Sequence, residues 1–430
     1  MTMTMGSRHH YPSFLPPILC SSTRIIILLL STIFLSLTTA FRPSSTVLPL
    51  QQQSTLRMAR STSSAISSSS SSSSDPWRLG TDLLNLEPYQ LCIEDEEDKR
   101  PQLAKDEDYA SAILKAWREE LLLDDDAGEA VSPAVTSYCA PCIYQCDNDD
   151  DGTTSLYGYV YRPNRPSNND NNNQTNKNSL PGILLFHTGA GPQDVFLHWK
   201  AHSLVTQRSI FPNGCVVLIA DILGDPTGWA WHDRNKYASI RNSILVPDKN
   251  GQRLQLSQRI DAAISTLKRQ RGVDSNRIGA LGFCLGGHAI MELARLQNPD
   301  VKAMVTFHGV FDGVHDLSGG NNNSFGSSAK SDNNEGEEGD DGEDVGTRSD
   351  VLVCTGANDP FVPSNDLEGA IQMFTNLKCH TKLLSFEETK HGFTNPAQDY
   401  NPSDAFAYND EAYNKAWGAM LNLLQETIIG

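Results

Sequence analysis

Short apolar runs alternate along the chain with longer segments in which apolar residues recur every three to four positions. Runs such as Val216–Ala220 are apolar throughout, which is typical of parallel strands covered by helices on both faces. The pattern predicts strands at Ile183–Phe186, Val216–Ala220, Ile278–Leu281, Ala303–Phe307, Val351–Thr355 and Lys382–Phe386, with helices such as Leu256–Arg271 and Asn409–Thr427. We therefore expect an α/β fold with a mostly parallel, doubly wound sheet.

Two polar, low-complexity segments interrupt this alternation. Residues 164–179 are rich in asparagine, and residues 318–350 are rich in glycine, asparagine and acidic residues. Neither segment has the apolar side chains needed to form a core. We interpret both as disordered surface insertions in a single catalytic domain at 135–430.

An acidic extension at 75–134 precedes this domain. A four-residue apolar spacing predicts one amphipathic helix from about Asp106 to Leu123, with a stripe formed by Tyr109, Ile113, Trp117 and Leu121. Such a stripe packs either on the catalytic domain or on a separate partner, and the sequence leaves both open.

The first 74 residues contain no aspartate or glutamate. Residues 1–40 have the features of a signal peptide, because Arg24 precedes an apolar run that ends before the small residues Thr38–Ala40. Residues 41–74 are serine-rich and transit-like, and the two segments together resemble the bipartite plastid presequences of algae. We expect delivery to the plastid (chloroplast) through the secretory route, with plain secretion as the alternative. Because the apolar run is shorter than the ~20 residues that span a bilayer, no stable membrane anchor is expected after processing.

Composition narrows the classes of partner. The chain has 34 basic and 52 acidic residues, a net charge of -18, whereas nucleic acids and anionic membranes attract basic surfaces. We therefore expect no nucleic-acid partner.

The nine cysteines define no disulfide framework. Cys139, Cys142 and Cys146 form a C-x-x-C with a third thiol, but a metal site would lack a fourth ligand there, so a strand entering a hairpin is the simpler interpretation.

A turn with a nucleophile at its tip is the strongest chemical signal in the chain. The segment Gly282–Gly287 follows an apolar run of strand length and precedes a helical pattern. Small residues around Cys284 allow a strained backbone to pass close to neighbouring elements and lift the thiol above the sheet. The pattern G-x-C-x-G-G predicts a nucleophile elbow with cysteine in place of serine, and a buried structural thiol is the alternative.

Two further residues follow Cys284 along the chain, first an acid and then a histidine. Catalytic triads on doubly wound sheets have this chain order of nucleophile, acid and histidine. Asp359 and His391 each come directly after a predicted strand, on loops of the kind that carry active sites. A carboxylate that orients an imidazole, which in turn holds a thiol, forms a catalytic triad. We predict a triad of Cys284, Asp359 and His391, with the backbone amides of Leu285 and Thr188 as the oxyanion hole.

These segments resemble the dienelactone hydrolase family, a group of α/β hydrolases whose nucleophile is cysteine. The likeness covers roughly Val135 to the C-terminus and rests on Leu156–Pro163, Leu184–Thr188, Gly282–Gly287, Gly356–Pro363, His391–Pro396 and Ala412–Trp417. The resemblance implies the α/β-hydrolase fold and hydrolysis of an enol-lactone or related ester through an acyl-cysteine intermediate. It implies no metal and no organic cofactor. We expect a monomer that acts on a small-molecule ester or lactone.

Thr188 stands where the best-studied members of this family have a glutamate that tunes the protonation of the cysteine. A neutral hydroxyl cannot take a proton at neutral pH. A gated thiol in this chain must therefore use another group or none.

Two functions of different classes remain after these considerations. The first is a carboxymethylenebutenolidase-type hydrolase of lactones or carboxylic esters. The alternative is a catalytically idle α/β-hydrolase fold that binds a ligand or senses redox state through Cys284.

Overall fold

The computed structural model describes residues 78–79, 106–125, 137–148, 152–163, 179–224, 234–249, 251–319, 349–401 and 403–430. All of them lie in one compact unit, Ser73–Gly430. The predicted signal peptide (1–40), the transit-like segment (41–74) and most of the two polar insertions (164–178 and 320–348) lie outside the described residues.

In the described residues a nine-stranded sheet forms the centre of the fold, in the order β1-β2-β3-β5-β4-β6-β7-β8-β9. Its strands are β1 (Arg78–Leu79), β2 (Ser137–Asn148), β3 (Gly152–Pro163), β4 (Leu180–Phe186), β5 (Val216–Ala220), β6 (Val273–Phe283), β7 (Val301–Phe307), β8 (Asp350–Gly356) and β9 (His380–Phe386). Strands β4 to β9 pair in parallel, and β3, β2 and β1 join one edge by antiparallel pairing. The predicted mostly parallel sheet is confirmed.

Helices cover both faces of this sheet. They are α1 (Asp106–Asp125), α2 (Val195–Thr206), α3 (Arg234–Leu245), α4 (Leu254–Lys268), α5 (Gly286–Leu296), α6 (Ser364–Asn376) and α7 (Asp410–Leu424). One core packs under α3, α4, α5 and α6, and a second packs under α1, α2 and α7. Along β4, Leu184 and Phe186 face the first core while Ile183 and Leu185 face the second, which explains the unbroken apolar runs.

Short helical turns connect or end these elements at Val314–Gly319, Pro396–Tyr400 and Gln425–Ile429. Within the part of the chain that the structure describes, no helix has both the length and the apolar character needed to cross a membrane.

The strand order reverses beside β4, and this reversal locates the site. From β4 the chain continues to β5 on one side, whereas from β6 it continues to β7 on the other side. The two connections diverge and leave a crevice beyond the carboxyl ends of β4 and β6. Open α/β sheets bind their ligands in such crevices.

Helix α1 lies where the sequence predicts the amphipathic helix of the acidic extension. Ile113 and Trp117 are fully buried in the second core beside α2. A hydrogen bond from Trp199 Nε1 to Glu120 Oε2, 2.6 Å long, joins the two helices. This part of the extension therefore packs on the catalytic domain.

The C-x-x-C segment lies on β2, which forms an antiparallel hairpin with β3. Cys142 packs against the first core and Cys139 against the second, because strand residues three apart point to opposite faces. The described cysteines form no disulfide bond with one another. The interpretation of this segment as a strand entering a hairpin is confirmed.

Replacing Trp117 by alanine should destabilise the protein through its extension helix. Trp117 is among the largest fully buried side chains, so its loss leaves a cavity between α1 and α2. We expect the free energy of unfolding, measured in urea, to fall by about 3–5 kcal/mol. Ile143→Ala, at a side chain 66% exposed, is the control and should change it by no more than about 0.5 kcal/mol. Equal urea midpoints for the two variants would contradict the docking of α1.

Candidate active site

Cys284 lies at the turn between β6 and α5 with a left-handed backbone, φ 52°. Its amide donates to the Phe307 carbonyl at 3.2 Å, and its carbonyl accepts from the amides of Gly287 and Val310, each at 2.9 Å. A non-glycine residue in this conformation costs of order 1–3 kcal/mol and persists only where its surroundings hold it. The turn has the strained geometry of a nucleophile elbow.

The glycines around this elbow are required by the space available. A Cβ at Gly282 would overlap the carbonyl oxygen of Gly286. A Cβ at Gly286 would lie 2.7 Å from the Phe186 carbonyl oxygen, and one at Gly287 would lie 2.7 Å from the Gly309 Cα. The G-x-C-x-G-G pattern is therefore a steric condition for bringing β4, β6 and β7 together at the turn.

Asp359 and His391 meet above the ends of β8 and β9. The His391 Nδ1–H donates to Asp359 Oδ2 at 2.7 Å, and both side chains are buried. Asp359 Oδ1 accepts from the Phe361 amide at 2.8 Å, which fixes the carboxylate. The two loops can approach because Gly356 has no side chain to collide with the Thr389 carbonyl.

The imidazole of His391 also forms a hydrogen bond with the Cys284 thiol. Burial raises the pKa of Cys284, but the His391 charge, this hydrogen bond and two backbone amides outweigh burial and hold the pKa below its ordinary value. Burial lowers the pKa of His391, while the negative charge of Cys284 and the hydrogen bond to Asp359 raise it to about 10. The lowered pKa of Cys284 and the raised pKa of His391 together favour a thiolate–imidazolium pair.

The two amides directed at the sulfur belong to Leu285 and Gly189. From the sequence we predicted Leu285 and Thr188. The Thr188 carbonyl accepts from the Gly191 amide at 3.2 Å, and the Thr188 hydroxyl accepts from the Ala190 amide at 3.1 Å. These bonds form a tight turn that directs the amide of the next residue, Gly189, at the sulfur. The part of the Thr188 amide in the oxyanion hole stays a prediction.

Two side chains of α3 lie near enough to the thiol to interact with its charge. Burial and the negative charge of Cys284 raise the pKa of Tyr237, and a Cβ on Gly189 would lie 3.0 Å from the Tyr237 Oη. Burial lowers the pKa of Arg241, but Asp312, Tyr237 and Cys284 raise it overall. Arg241 was one of several arginines near predicted loops in the sequence, and Tyr237 carried no sequence signal.

Two phenylalanine rings pack against the imidazole of His391. The Phe361 and Phe406 ring centroids lie 4.8 and 5.3 Å from that of His391, and the two phenylalanines lie 5.3 Å apart. Phe361 is 42% exposed. These residues form an apolar wall beside the triad.

Among the described residues, no group of three His, Cys, Asp or Glu side chains could hold a metal ion.

A family model described as the dienelactone hydrolase family matches residues 171–428, more than half of the chain. The chain belongs to the dienelactone hydrolase family. It is therefore a hydrolase, and its fold is the predicted α/β-hydrolase fold in a single catalytic domain. Helix α1 and strands β1 to β3 precede the segment that the family model matches.

Individual relatives are distant. An uncharacterized protein of Caenorhabditis elegans is 24% identical over 182 residues, which are 42% of this chain and 98% of that protein. A solved structure named m3DLH is 23% identical, with a TM-score of 0.50 over 68% of this chain and 99% of that one. A dienelactone hydrolase-like promiscuous phosphotriesterase from metagenomic libraries is 24% identical, with a TM-score of 0.47 over 67% of this chain and 98% of that one. The structural likenesses concern the fold.

The rate at which iodoacetamide alkylates Cys284 should rise with pH through an inflection below that of an ordinary thiol. The thiolate is present above its lowered pKa and is lost as the pH falls through that value, whereas an ordinary thiol ionises near pH ~8.5. In His391→Gln the charge that offsets the effect of burial on the Cys284 pKa is lost. The inflection of the rate profile should therefore move above pH ~8.5, and the alkylation rate at pH 7 should fall at least about tenfold.

The matched control for this titration is His380→Gln, because His380 is an exposed histidine on β9 that pairs with Asp350 at 2.6 Å. Its pH profile should equal that of the unaltered protein. A rate profile with an ordinary inflection in the unaltered protein, or no change in His391→Gln, would contradict the ion pair.

Proposed function

We propose that this protein hydrolyses a carboxylic ester or lactone through an acyl-cysteine intermediate, as a dienelactone hydrolase-like enzyme of the carboxymethylenebutenolidase type. The supporting observation is the continuous hydrogen-bonded series Cys284–His391–Asp359, with two amides directed at the sulfur. The pKa of Cys284 is lowered and that of the neighbouring His391 is raised. Shifts of opposite direction on two neighbouring buried groups are typical of catalytic acid–base pairs.

The first half of the proposed reaction forms the acyl-enzyme. The Cys284 thiolate attacks the carbonyl carbon, and the Leu285 and Gly189 amides stabilise the resulting oxyanion. The tetrahedral intermediate collapses as the C–O bond to the leaving group breaks. The His391 imidazolium gives its proton to that oxygen, which departs as an alcohol or stays tethered when the substrate is a lactone.

The second half regenerates the thiolate. Neutral His391 takes a proton from water as the water oxygen attacks the thioester carbonyl. The second tetrahedral intermediate releases the carboxylic acid and the Cys284 thiolate beside the restored imidazolium. Asp359 accepts the Nδ1–H of His391 and so holds it directed away from the sulfur, so that Nε2 faces the reaction.

The surroundings of the triad favour a substrate with an apolar part. The wall of Phe361 and Phe406 offers ring faces and edges beside His391. Aromatic rings contribute large apolar contact area at binding sites. Aryl esters and unsaturated lactones are the probes that match this wall.

Cys284→Ala should abolish turnover of aryl esters and enol-lactones by the purified full-length chain. Loss of a nucleophile of this kind lowers kcat by about a thousandfold or more. The control is Cys379→Ala, because Cys379 is a partly buried free thiol between α6 and β9, and it should keep full activity. Retained activity in Cys284→Ala would remove the assignment. An active-site thiol with an ordinary titration, in a protein that turns over no ester or lactone, would favour the idle ligand-binding or redox-sensing fold instead.

We also propose that residues 1–74 direct the protein to the plastid through the secretory route. The proposal rests on the signal-peptide pattern of 1–40 followed by the acid-free, serine-rich segment 41–74.

A fluorescent protein carrying residues 1–74 should accumulate in the plastid of an alga whose plastid is reached through the secretory route. The control carries residues 41–74 alone and should stay in the cytosol, because it lacks the signal for entry. Secretion of the first fusion would support the alternative, and its retention in the cytosol would contradict both.

A further inference from the structure

Tyr109 of helix α1 brings a hydroxyl from the acidic extension to the active site. It lies in the first half of α1, before the segment 171–428 that the family model matches. The pKa of Tyr109 is raised well above its ordinary value by burial, by the charge of Asp194 and also by that of Cys284. The hydroxyl is therefore neutral, and the charge of Cys284 acts on it.

This hydroxyl joins two loops that carry parts of the site. The Asn395 Nδ2 donates to Tyr109 Oη at 2.6 Å, and the Tyr109 hydroxyl donates to Asp194 Oδ2 at 3.4 Å. Asn395 Oδ1 accepts from the Ala397 amide at 3.0 Å, which fixes the orientation of the amide group. Because the Tyr109 oxygen already accepts a hydrogen bond from Asn395, the proton of the Tyr109 hydroxyl is directed to Asp194.

Asp194 in turn holds the loop between β4 and α2. Its Oδ1 accepts from the Phe196 amide at 3.1 Å as the N-cap of α2. Its Oδ2 accepts from the Thr188 hydroxyl at 3.3 Å, so one carboxylate ties the start of the loop to its end. The Gly189 amide that faces the Cys284 sulfur lies within this closed loop.

We propose that Tyr109 is a positioning residue that holds the Gly189 amide in the oxyanion hole through Asp194. This inference rests on the proposed ester or lactone hydrolysis. An oxyanion donor is effective only when its amide is held in place before the charge develops. A displacement of about 1 Å by a residue that does not touch the substrate can cost on the order of a hundredfold in rate. The acidic extension thus completes the site of the family domain.

The ring of Tyr109 can be kept while the hydroxyl is removed. The rest of α1 is held independently, by Trp117 in the second core and by the bond from Trp199 to Glu120. Tyr109→Phe therefore tests the two hydrogen bonds and not the docking of the helix. Tyr144→Phe is the matched control, because the buried Tyr144 hydroxyl donates to the Asp221 carbonyl at 2.9 Å and, among the described residues, makes no direct hydrogen bond to either loop.

The experiment compares two reactions of Cys284 in the full-length chain. Hydrolysis of an aryl ester passes through an oxyanion, whereas alkylation by iodoacetamide displaces iodide and forms none. In Tyr109→Phe we expect kcat for the ester to fall about tenfold or more, with KM and the alkylation rate within about twofold of the unaltered protein. Both rates are compared on the high-pH plateau of the alkylation profile, where Cys284 is fully ionised whether or not the Gly189 amide still lowers its pKa. Tyr144→Phe should leave all three quantities within about twofold.

If Cys284→Ala is inactive, any of three outcomes would overturn this inference and leave the proposed function standing. These are an unchanged kcat in Tyr109→Phe, an equal loss of kcat in Tyr144→Phe, and a fall of the plateau alkylation rate in step with kcat. The last would place the effect on the reactivity of the fully ionised thiol and not on the oxyanion hole. Full ester hydrolysis by Cys284→Ala would overturn the proposed function and this inference together.

Discussion

The contact of backbone with backbone around Cys284 is the constraint on which the site depends. Gly286 lies against Phe186 at the end of β4, and Gly287 lies against Gly309 after β7. These contacts set the thiol above the carboxyl ends of adjacent strands, where the loops that follow β4, β8 and β9 can reach it. The strain of its left-handed backbone is sustained by the packing of the sheet beneath it.

Placement alone does not activate the thiol, because burial opposes ionisation. The compensating charge comes from His391, whose pKa is raised by Cys284 and Asp359 to about 10. The hydroxyl of Thr188, at the position of the family glutamate, donates to Asp194. Activation in this chain therefore relies on the imidazole and on the Leu285 and Gly189 amides, and the loop after β4 contributes an amide instead of a carboxylate.

Much of the fold could be predicted from the sequence because it depends on local patterns. The apolar run Val216–Ala220 has the bounds of β5, and the glycines around Cys284 indicate the elbow directly. Two features of the site could not be found in this way. The choice of the Gly189 amide depends on backbone angles in a four-residue turn, and the bond from Tyr109 to Asp194 joins residues 85 positions apart. A helical stripe predicts that Tyr109 is covered, but not which carboxylate its hydroxyl meets.

The central claim is that the acyl group of the substrate passes through the sulfur of Cys284. The most direct measurement is mass spectrometry of the full-length chain, quenched in acid during the burst of an aryl ester whose acyl group leaves slowly. The predicted result is one acyl group per chain, on the peptide that contains Cys284. A burst of phenol release with an unmodified chain, or with the acyl group on another residue, would contradict it.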